Sequence, residues 1–260
     1  MTEQELANVI WDIKEIIRNL YDDAEVEDVI LPFTLLRRLD CVLDEHRDAI
    51  MTEMEAIKDK PIVMQNIKLK SLLKQHNLTF FNSSGLSLER LLGAPGQIGA
   101  SFQTYLDGFT DNVKDILANF VHTDTESETL DLSPIYSRLE RHDKLFSVIQ
   151  LFVQRADLHP EKVSNAMMGT VFEIVIRRSK ESSNTKAGQF YTPREIVRLL
   201  VSLTMCGKES ELYGVGRAFS IYDPCCGTGG MLTAGREYLQ EVSGRKDLKV
   251  YLYGQELNEK

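Results

Sequence analysis

The stretch Phe219-Ser220-Ile221-Tyr222-Asp223-Pro224-Cys225-Cys226-Gly227-Thr228-Gly229-Gly230 decides how the second half of this 260-residue chain folds. Its first four residues form a short apolar, strand-like run. An acid closes that run, and a glycine-rich turn follows. A helical pattern then extends from Met231 to Val242 and stops at Ser243-Gly244-Arg245. Val250-Tyr251-Leu252-Tyr253 is a second strand-like run. Strand, turn, helix and strand in that order open a parallel α/β sheet.

The turn has a chemistry of its own. Glycines let the backbone approach a ligand closely and adopt positive φ. Open α/β sheets bind ligands beyond the carboxyl ends of their strands. Asp223 stands at one such end, and Glu256 lies just past the next. A carboxylate in the second position can accept both hydroxyls of a ribose. Two acids at adjacent strand ends, with glycines between, suit a ligand with a cationic amino-acid end and a nucleoside end. S-adenosylmethionine is such a ligand. The dinucleotide pattern Gly-x-Gly-x-x-Gly is absent, and so is the phosphate-binding Gly-x-x-x-x-Gly-Lys-Ser/Thr. From pattern alone, an adenosyl ligand and a purely structural turn both stay open.

Toward the N-terminus, the polar run from Ser179 to Ala187 (SKESSNTKA) is a composition break and reads as an exposed loop. Upstream of it the pattern is helical. Leu6, Val9, Ile10, Ile13, Ile16, Ile17 and Leu20 fall on one helix face. Thr2 followed by Glu5 fits a capping box before that run. A second helix starts near Val26 and carries Val29, Ile30, Phe33, Leu36, Leu39, Val42 and Leu43, with Pro32 near its start. Arg37 and Arg38 read as its solvated flank. Further helices are expected at 66–76, 87–92, 99–120, 134–153 and 160–178, with a polar break at 121–133. There is no fixed-period repeat. The expected fold is α plus α/β: a helical bundle over residues 1–156, then an α/β unit over 157–260.

Composition narrows the class. The 43% hydrophobic content fills a core, and the 27% charged content is ordinary for a soluble chain. No apolar run approaches the roughly 20 residues that span a bilayer. The opening MTEQELANVIWDIKEI is acidic and amphipathic, unlike a secretory signal, so a cytoplasmic location with no membrane contact is expected. Cys41, Cys206, Cys225 and Cys226 form no Cys-x-x-Cys pair, and no metal site is expected. The formal net charge is −9. A protein that grips DNA alone usually presents a basic stripe. Either DNA is not the partner, or another subunit or segment supplies much of the phosphate contact.

Three segments carry a family resemblance. Asp223 to Leu232 resembles the first motif of adenine-N6 DNA methyltransferases. Gly188-Gln189-Phe190-Tyr191-Thr192-Pro193-Arg194-Glu195-Ile196-Val197 resembles the motif that precedes it, and Gly254-Gln255-Glu256-Leu257-Asn258 the motif that follows. Leu31-Pro32-Phe33-Thr34-Leu35-Leu36-Arg37-Arg38-Leu39-Asp40 is similar to the helical N-terminal domain of the modification (HsdM-type) subunit of type I restriction–modification systems. The resemblance covers nearly the whole chain and implies a Rossmann-like, S-adenosylmethionine-dependent methyltransferase domain after the bundle. It also implies roles. Gly227, Thr228 and Gly229 would wrap the methionine part of the cofactor. Asp223 would face its amino group through water, and Glu256 would hold the ribose hydroxyls. Gln189, Phe190, Tyr191, Thr192 and Pro193 would close over the cofactor from the other side. The implied partners are DNA, a specificity subunit and a restriction subunit, with a second modification subunit as a further candidate.

The resemblance implies one more motif, Asn-Pro-Pro-Phe or Asn-Pro-Pro-Tyr, some tens of residues after the second strand. It does not occur within these 260 residues. In the implied mechanism the adenine is flipped from the duplex and stacked on the aromatic ring. The Asn side chain and a proline carbonyl accept from its amine, which attacks the sulfonium methyl in line. The expectation is therefore a chain that holds the cofactor half, has no catalytic residue of its own, and does not methylate DNA alone. A methyltransferase for RNA or protein, and a non-catalytic partner-binding paralogue, are the alternatives. Cys225 in Pro224-Cys225 is not expected to be a nucleophile, because cytosine-type enzymes carry Pro-Cys downstream of the cofactor motif.

Overall fold

Thr2 starts the first helix as its sequence predicts. Its hydroxyl accepts from the Glu5 backbone N–H at 3.2 Å, and the Glu5 carboxylate accepts from the Thr2 N–H at 2.8 Å. These two bonds are the reciprocal capping box that spares two backbone donors at a helix start. The computed structural model describes residues 2–22, 25–118, 132–182, 192, 194–207, 218–227, 229–245 and 247–257. By internal contacts the chain divides into two compact units, Met1–Lys186 and Ala187–Lys260.

Among the described residues of the first unit the regular elements are all helices, save for one isolated bridge. Its helices are α1 (Glu3–Trp11), α2 (Ile13–Ile17), α3 (Val26–Leu43), α4 (Arg47–Glu55), α5 (Ile62–Gln75), α6 (Leu88–Leu91), α7 (Ile98–Asp107), α8 (Asp111–Ala118), α9 (Ser133–Arg141), α10 (Leu145–Arg155) and α11 (Asn165–Ser182). The predicted apolar stripe of the opening segment is buried at Leu6, Ile10, Ile13 and Ile17. The centre of the core is aromatic. Phe33 of α3 stacks on Phe102 of α7 and Phe152 of α10, at centroid distances of 5.5 and 6.0 Å.

Several expectations are corrected. The expected helix 99–120 is two helices, α7 and α8. Ser83 N–H donates to the Gly108 carbonyl, and Thr110 N–H donates to that of Phe81. The antiparallel bridge Asn82↔Phe109 draws these residues out of the helix. The expected helix 134–153 is α9 and α10, parted where Asp143 takes a left-handed φ of 55° and Lys144 N–H returns to the Leu139 carbonyl. Pro32 sits in the second turn of α3, not its first, and is buried there. Arg37 and Arg38 are not a solvated flank. Arg37 donates to the Ala156 carbonyl at 2.9 Å. Arg38 donates to the carbonyls of Leu158 and Val163 and to the Asn165 side chain. Two cations on α3 thus fasten the segment between α10 and α11, where no helix supplies donors. The run from Ser179 is still helical at Ser182; the rest of that predicted loop, and 121–131 of the polar break, lie outside the described residues.

A buried ion pair ties four of these helices together. Asp40 of α3 accepts from Arg47 at 2.8 Å, from the Leu88 N–H at 2.6 Å and from the Tyr105 hydroxyl at 3.1 Å. Arg47 also donates to the Leu86 carbonyl at 2.6 Å. Burial pushes the Asp40 carboxyl up from its ordinary range, against the pull of Arg47 and the two further donors. Burial beside that carboxylate raises the Tyr105 phenol as well. A buried charge is tolerated only when it is paired and hydrogen-bonded this fully.

The second unit has α12 (Arg194–Met205), β1 (Phe219–Asp223), α13 (Gly230–Ser243) and β2 (Val250–Gly254). β1 and β2 pair in parallel, with Phe219 opposite Val250 and Asp223 opposite Gly254. The crossover is α13, as the sequence predicts. Leu239 and Leu248 pack with Phe219, Ile221 and Val250 on one sheet face, and α12 packs Val197 and Val201 against Ala234 of α13. On the other face Tyr222, Tyr251 and Tyr253 are exposed.

Candidate functional site

The parallel pairing of β1 and β2 brings the two predicted acids to one edge. Asp223 closes β1, and Glu256 follows β2 by two residues. Hydrogen bonds then continue past the strand ends. Gln255 N–H donates to the Asp223 carbonyl, and Cys226 N–H donates to the Gln255 carbonyl, both at 2.9 Å. The turn after β1 is thereby stitched to the segment after β2.

Both carboxylates hold backbone donors. Asp223 accepts from the Cys225 N–H at 3.0 Å, a side-chain-capped turn that reverses the chain after the strand. Glu256 accepts from the Gly227 N–H through one oxygen and from the Leu257 N–H through the other, each at 2.8 Å. A carboxylate oxygen can accept more than one hydrogen bond. Glu256 is exposed.

The glycines earn their places by conformation. Gly227 has φ +51° and Gly229 has φ +81°, a region that L side chains rarely enter. Gly229 is the N-cap of α13, and its N–H closes the turn on the Cys226 carbonyl at 2.8 Å. The first-turn N–H groups of α13 therefore open beside the two acids, at the positive end of the helix dipole. Gly254 is needed for space. A Cβ there would lie 2.7 Å from the Cys226 sulfur and 3.1 Å from Leu232 Cδ1.

The structure thus gathers Asp223, Gly227, Gly229 and Glu256 into one site. Thr228 lies outside the described residues, as do Gln189, Phe190, Tyr191 and Pro193. Thr192 is described and exposed. Sequence reasoning quoted Gly254 and Gln255 only as parts of a motif; the structure makes the first a close-approach position and the second a bridge between the two acids. Cys225 is exposed and Cys226 half-buried, both as free thiols. Among the described residues no group of three or more His, Cys, Asp or Glu side chains is placed to hold a metal. No helix among them is long and apolar enough to cross a membrane.

A two-carboxylate rim disfavours a pyrophosphate and favours a ligand offering an ammonium and hydroxyl groups. Fold and site together define a class: a helical module followed by an α/β unit with a glycine-rich turn and two acids at its strand ends. Comparison with known proteins makes this specific. Residues 6–152, more than half of the chain, match the HsdM N-terminal domain family, and the chain belongs to that family. Residues 163–260 match the N-6 DNA Methylase family. The chain is similar to the type I restriction enzyme MjaIX methylase subunit of Methanocaldococcus jannaschii, 22% identical across 97% of this chain and 42% of that protein. It is also similar to the MjaVII methylase subunit of the same organism, 42% identical over 28% of this chain and 11% of that one. Among solved structures it resembles the type I restriction-modification system methyltransferase subunit of Streptococcus thermophilus. That match has a TM-score of 0.62 at 18% identity, covering 99% of this chain and 53% of the other. The chain therefore spans about half the length of the relatives it matches. The N-6 DNA Methylase match begins ahead of α11, a helix that packs on α1 within the first unit.

Proposed function

We propose that this chain serves a type I restriction–modification system as its modification subunit, transferring a methyl group from S-adenosylmethionine to the N6 of adenine in DNA. In this reading the methyltransferase-type sequence begins near residue 157, after a helical domain over 1–156. The observation that carries the proposal is the acid–glycine–acid site: Asp223 and Glu256 at adjacent parallel strand ends, the first accepting from the Cys225 amide and the second from the Gly227 amide. Glu256 takes the ribose hydroxyls. Asp223 faces the cofactor's ammonium group. Gly227, Thr228 and Gly229 follow the methionine chain, whose carboxylate meets the start of α13. Gln189, Phe190, Tyr191, Thr192 and Pro193 are proposed to close over it. The cofactor, when bound, supplies an already activated methyl group. The chain's part is to fix its conformation and aim the methyl at the adenine amine. No residue among these 260 is assigned to the adenine itself.

Partners follow from chemistry. A net charge of −9 fits a subunit that leaves most DNA contact to others. A specificity subunit, a restriction subunit and a second modification subunit are the proposed companions, in the cytoplasm. Calorimetric titration with S-adenosylmethionine tests the site. Glu256→Gln removes the charge from two ligand hydrogen bonds of the charged kind, worth about 1.5–3 kcal/mol each relative to none. Binding weaker by one to two orders of magnitude is expected. Unchanged affinity would refute the assignment.

A further inference from the structure

Gln255 has no role in the proposed function, yet it bonds to both sides of this site. Its backbone bridges the two halves: the N–H to the Asp223 carbonyl, the carbonyl to the Cys226 N–H. Its side-chain oxygen accepts from the Tyr222 hydroxyl at 2.9 Å. The register explains this last bond. Tyr222 lies opposite Tyr253, so Gln255 is its diagonal neighbour on the same sheet face. That face is the one opposite α13, and Tyr222 is 60% exposed on it. Strand β2 has ended at Gly254, so these bonds take over from the strand ladder in holding the next residue.

We infer that Gln255, pinned by the Tyr222 hydroxyl, is a positioning residue that sets the Glu256 carboxylate against the Gly227 amide. The inference rests on the reading of Glu256 as the ribose acceptor. The logic is geometric. Glu256 is one peptide unit beyond Gln255, and its carboxylate reaches the Gly227 N–H at 2.8 Å. Any rotation of the Gln255 peptide breaks the Cys226 bond and swings Glu256 away from the turn. Backbone bonds fix the peptide from the turn side. The Tyr222–Gln255 bond fixes it from the sheet side. With both in place the acceptor is held ready before the ligand arrives, which lowers the ordering cost of binding. The proposed function gives Tyr222 and Gln255 no ligand contact, so their effect should be confined to what Glu256 recognises.

The test is calorimetric titration of the full 260-residue chain with S-adenosylmethionine and with its 2′,3′-dideoxy analogue. Tyr222→Phe removes one hydroxyl and nothing else. It should weaken S-adenosylmethionine about three- to tenfold, the size of one neutral hydrogen bond. The same variant should bind the dideoxy analogue as the unaltered chain does, because that analogue lacks the groups Glu256 holds. Gln255→Ala should weaken the natural ligand similarly, and the double variant no further than Gln255→Ala alone. Unchanged affinity of Tyr222→Phe would overturn the inference and leave the cofactor assignment standing. So would additive losses in the double variant, or an equal loss with the dideoxy analogue that tracks a lowered unfolding midpoint. No binding by the unaltered chain would overturn both.

Discussion

Gly254→Ala is the sharpest perturbation this structure offers. The added methyl would stand 2.7 Å from the Cys226 sulfur, 3.1 Å from the Cys226 Cβ and 3.1 Å from Leu232 Cδ1. Non-bonded heavy atoms are comfortable at about 3.5–4.0 Å, so the worst contact is short by close to 1 Å. Gly254 does not have positive φ, so alanine suits the backbone and would itself add a few tenths of a kcal/mol of stability. The loss must therefore come from crowding, typically about 1–3 kcal/mol. Cys226 is half-buried and can give way, which puts the expected cost near the lower end. Giving way moves the Cys226 N–H that binds Gln255, and with it the turn that carries Gly227. Affinity for S-adenosylmethionine should fall at least tenfold even where stability falls little. Cys226→Ala removes the sulfur but leaves the 3.1 Å contacts, so the pair Gly254→Ala/Cys226→Ala should recover most of the loss but not all. Trp11 is the sole tryptophan and sits in the helical unit, so its fluorescence is an internal control that should not respond. Hydrogen exchange across Phe219–Asp223 and Val250–Gly254 follows the altered unit. A Gly254→Ala chain that binds as tightly as the parent would refute the reasoning. So would a loss that Cys226→Ala fails to relieve.

Two further outcomes concern the helical unit. Asp40→Ala strands the Arg47 guanidinium and leaves the Leu88 N–H and Tyr105 hydroxyl without their acceptor; removing one partner of such a pair costs about 3–5 kcal/mol. Denaturant unfolding followed by Trp11 fluorescence should show that loss, and Asp40→Ala/Arg47→Met should be less damaged than Asp40→Ala alone. The Tyr21 phenol is pushed up to about 12, chiefly by burial and against the pull of Arg138. A folded-state value above the unfolded one means the native state binds the proton more tightly, so this stability is intact below the phenol's ordinary value near 10 and is lost as pH rises toward 12. Tyr21→Phe should be less stable at neutral pH, since the hydroxyl donates to the Ile135 carbonyl at 3.0 Å, yet should decline less steeply in alkali. An alkaline decline as steep as the parent's would contradict the assignment.

Where the sequence was legible, the reason is periodicity or a local bond. Leu6, Ile10, Ile13 and Ile17 announce their buried face, and Thr2 with Glu5 announces the cap. The strand ending at Asp223, the glycine turn and the crossover helix follow from local chemistry, and their parallel pairing follows from the crossover. Local pattern failed where distant residues decide. Nothing near residue 108 says that the 81–84 segment will capture it and end a helix. Nothing near Arg37 and Arg38 says that they will receive the carbonyls of a segment about 120 positions away. Helix α4 buries few side chains, Arg47 and Ile50 among them, which is too few to produce a period. Gln255 was invisible for a different reason: its backbone does most of the bridging, and a backbone leaves no mark on residue type.

The two units are held by different means, and this bears on how the site works. The helical unit rests on a broad apolar core with a buried aromatic stack and one fully bonded ion pair. The α/β unit has a thin apolar layer on one sheet face, and its functional edge is stitched by backbone groups binding two acids. Such stitching fixes positions more than it adds free energy, because each exposed bond replaces one to water. In the free protein both acids act as turn anchors. Among the described residues, the turn and both carboxylates are held by bonds within the chain. In the proposed function the groups brought to this site are an ammonium and two vicinal hydroxyls. A phosphate in their place would set its charge against two carboxylates.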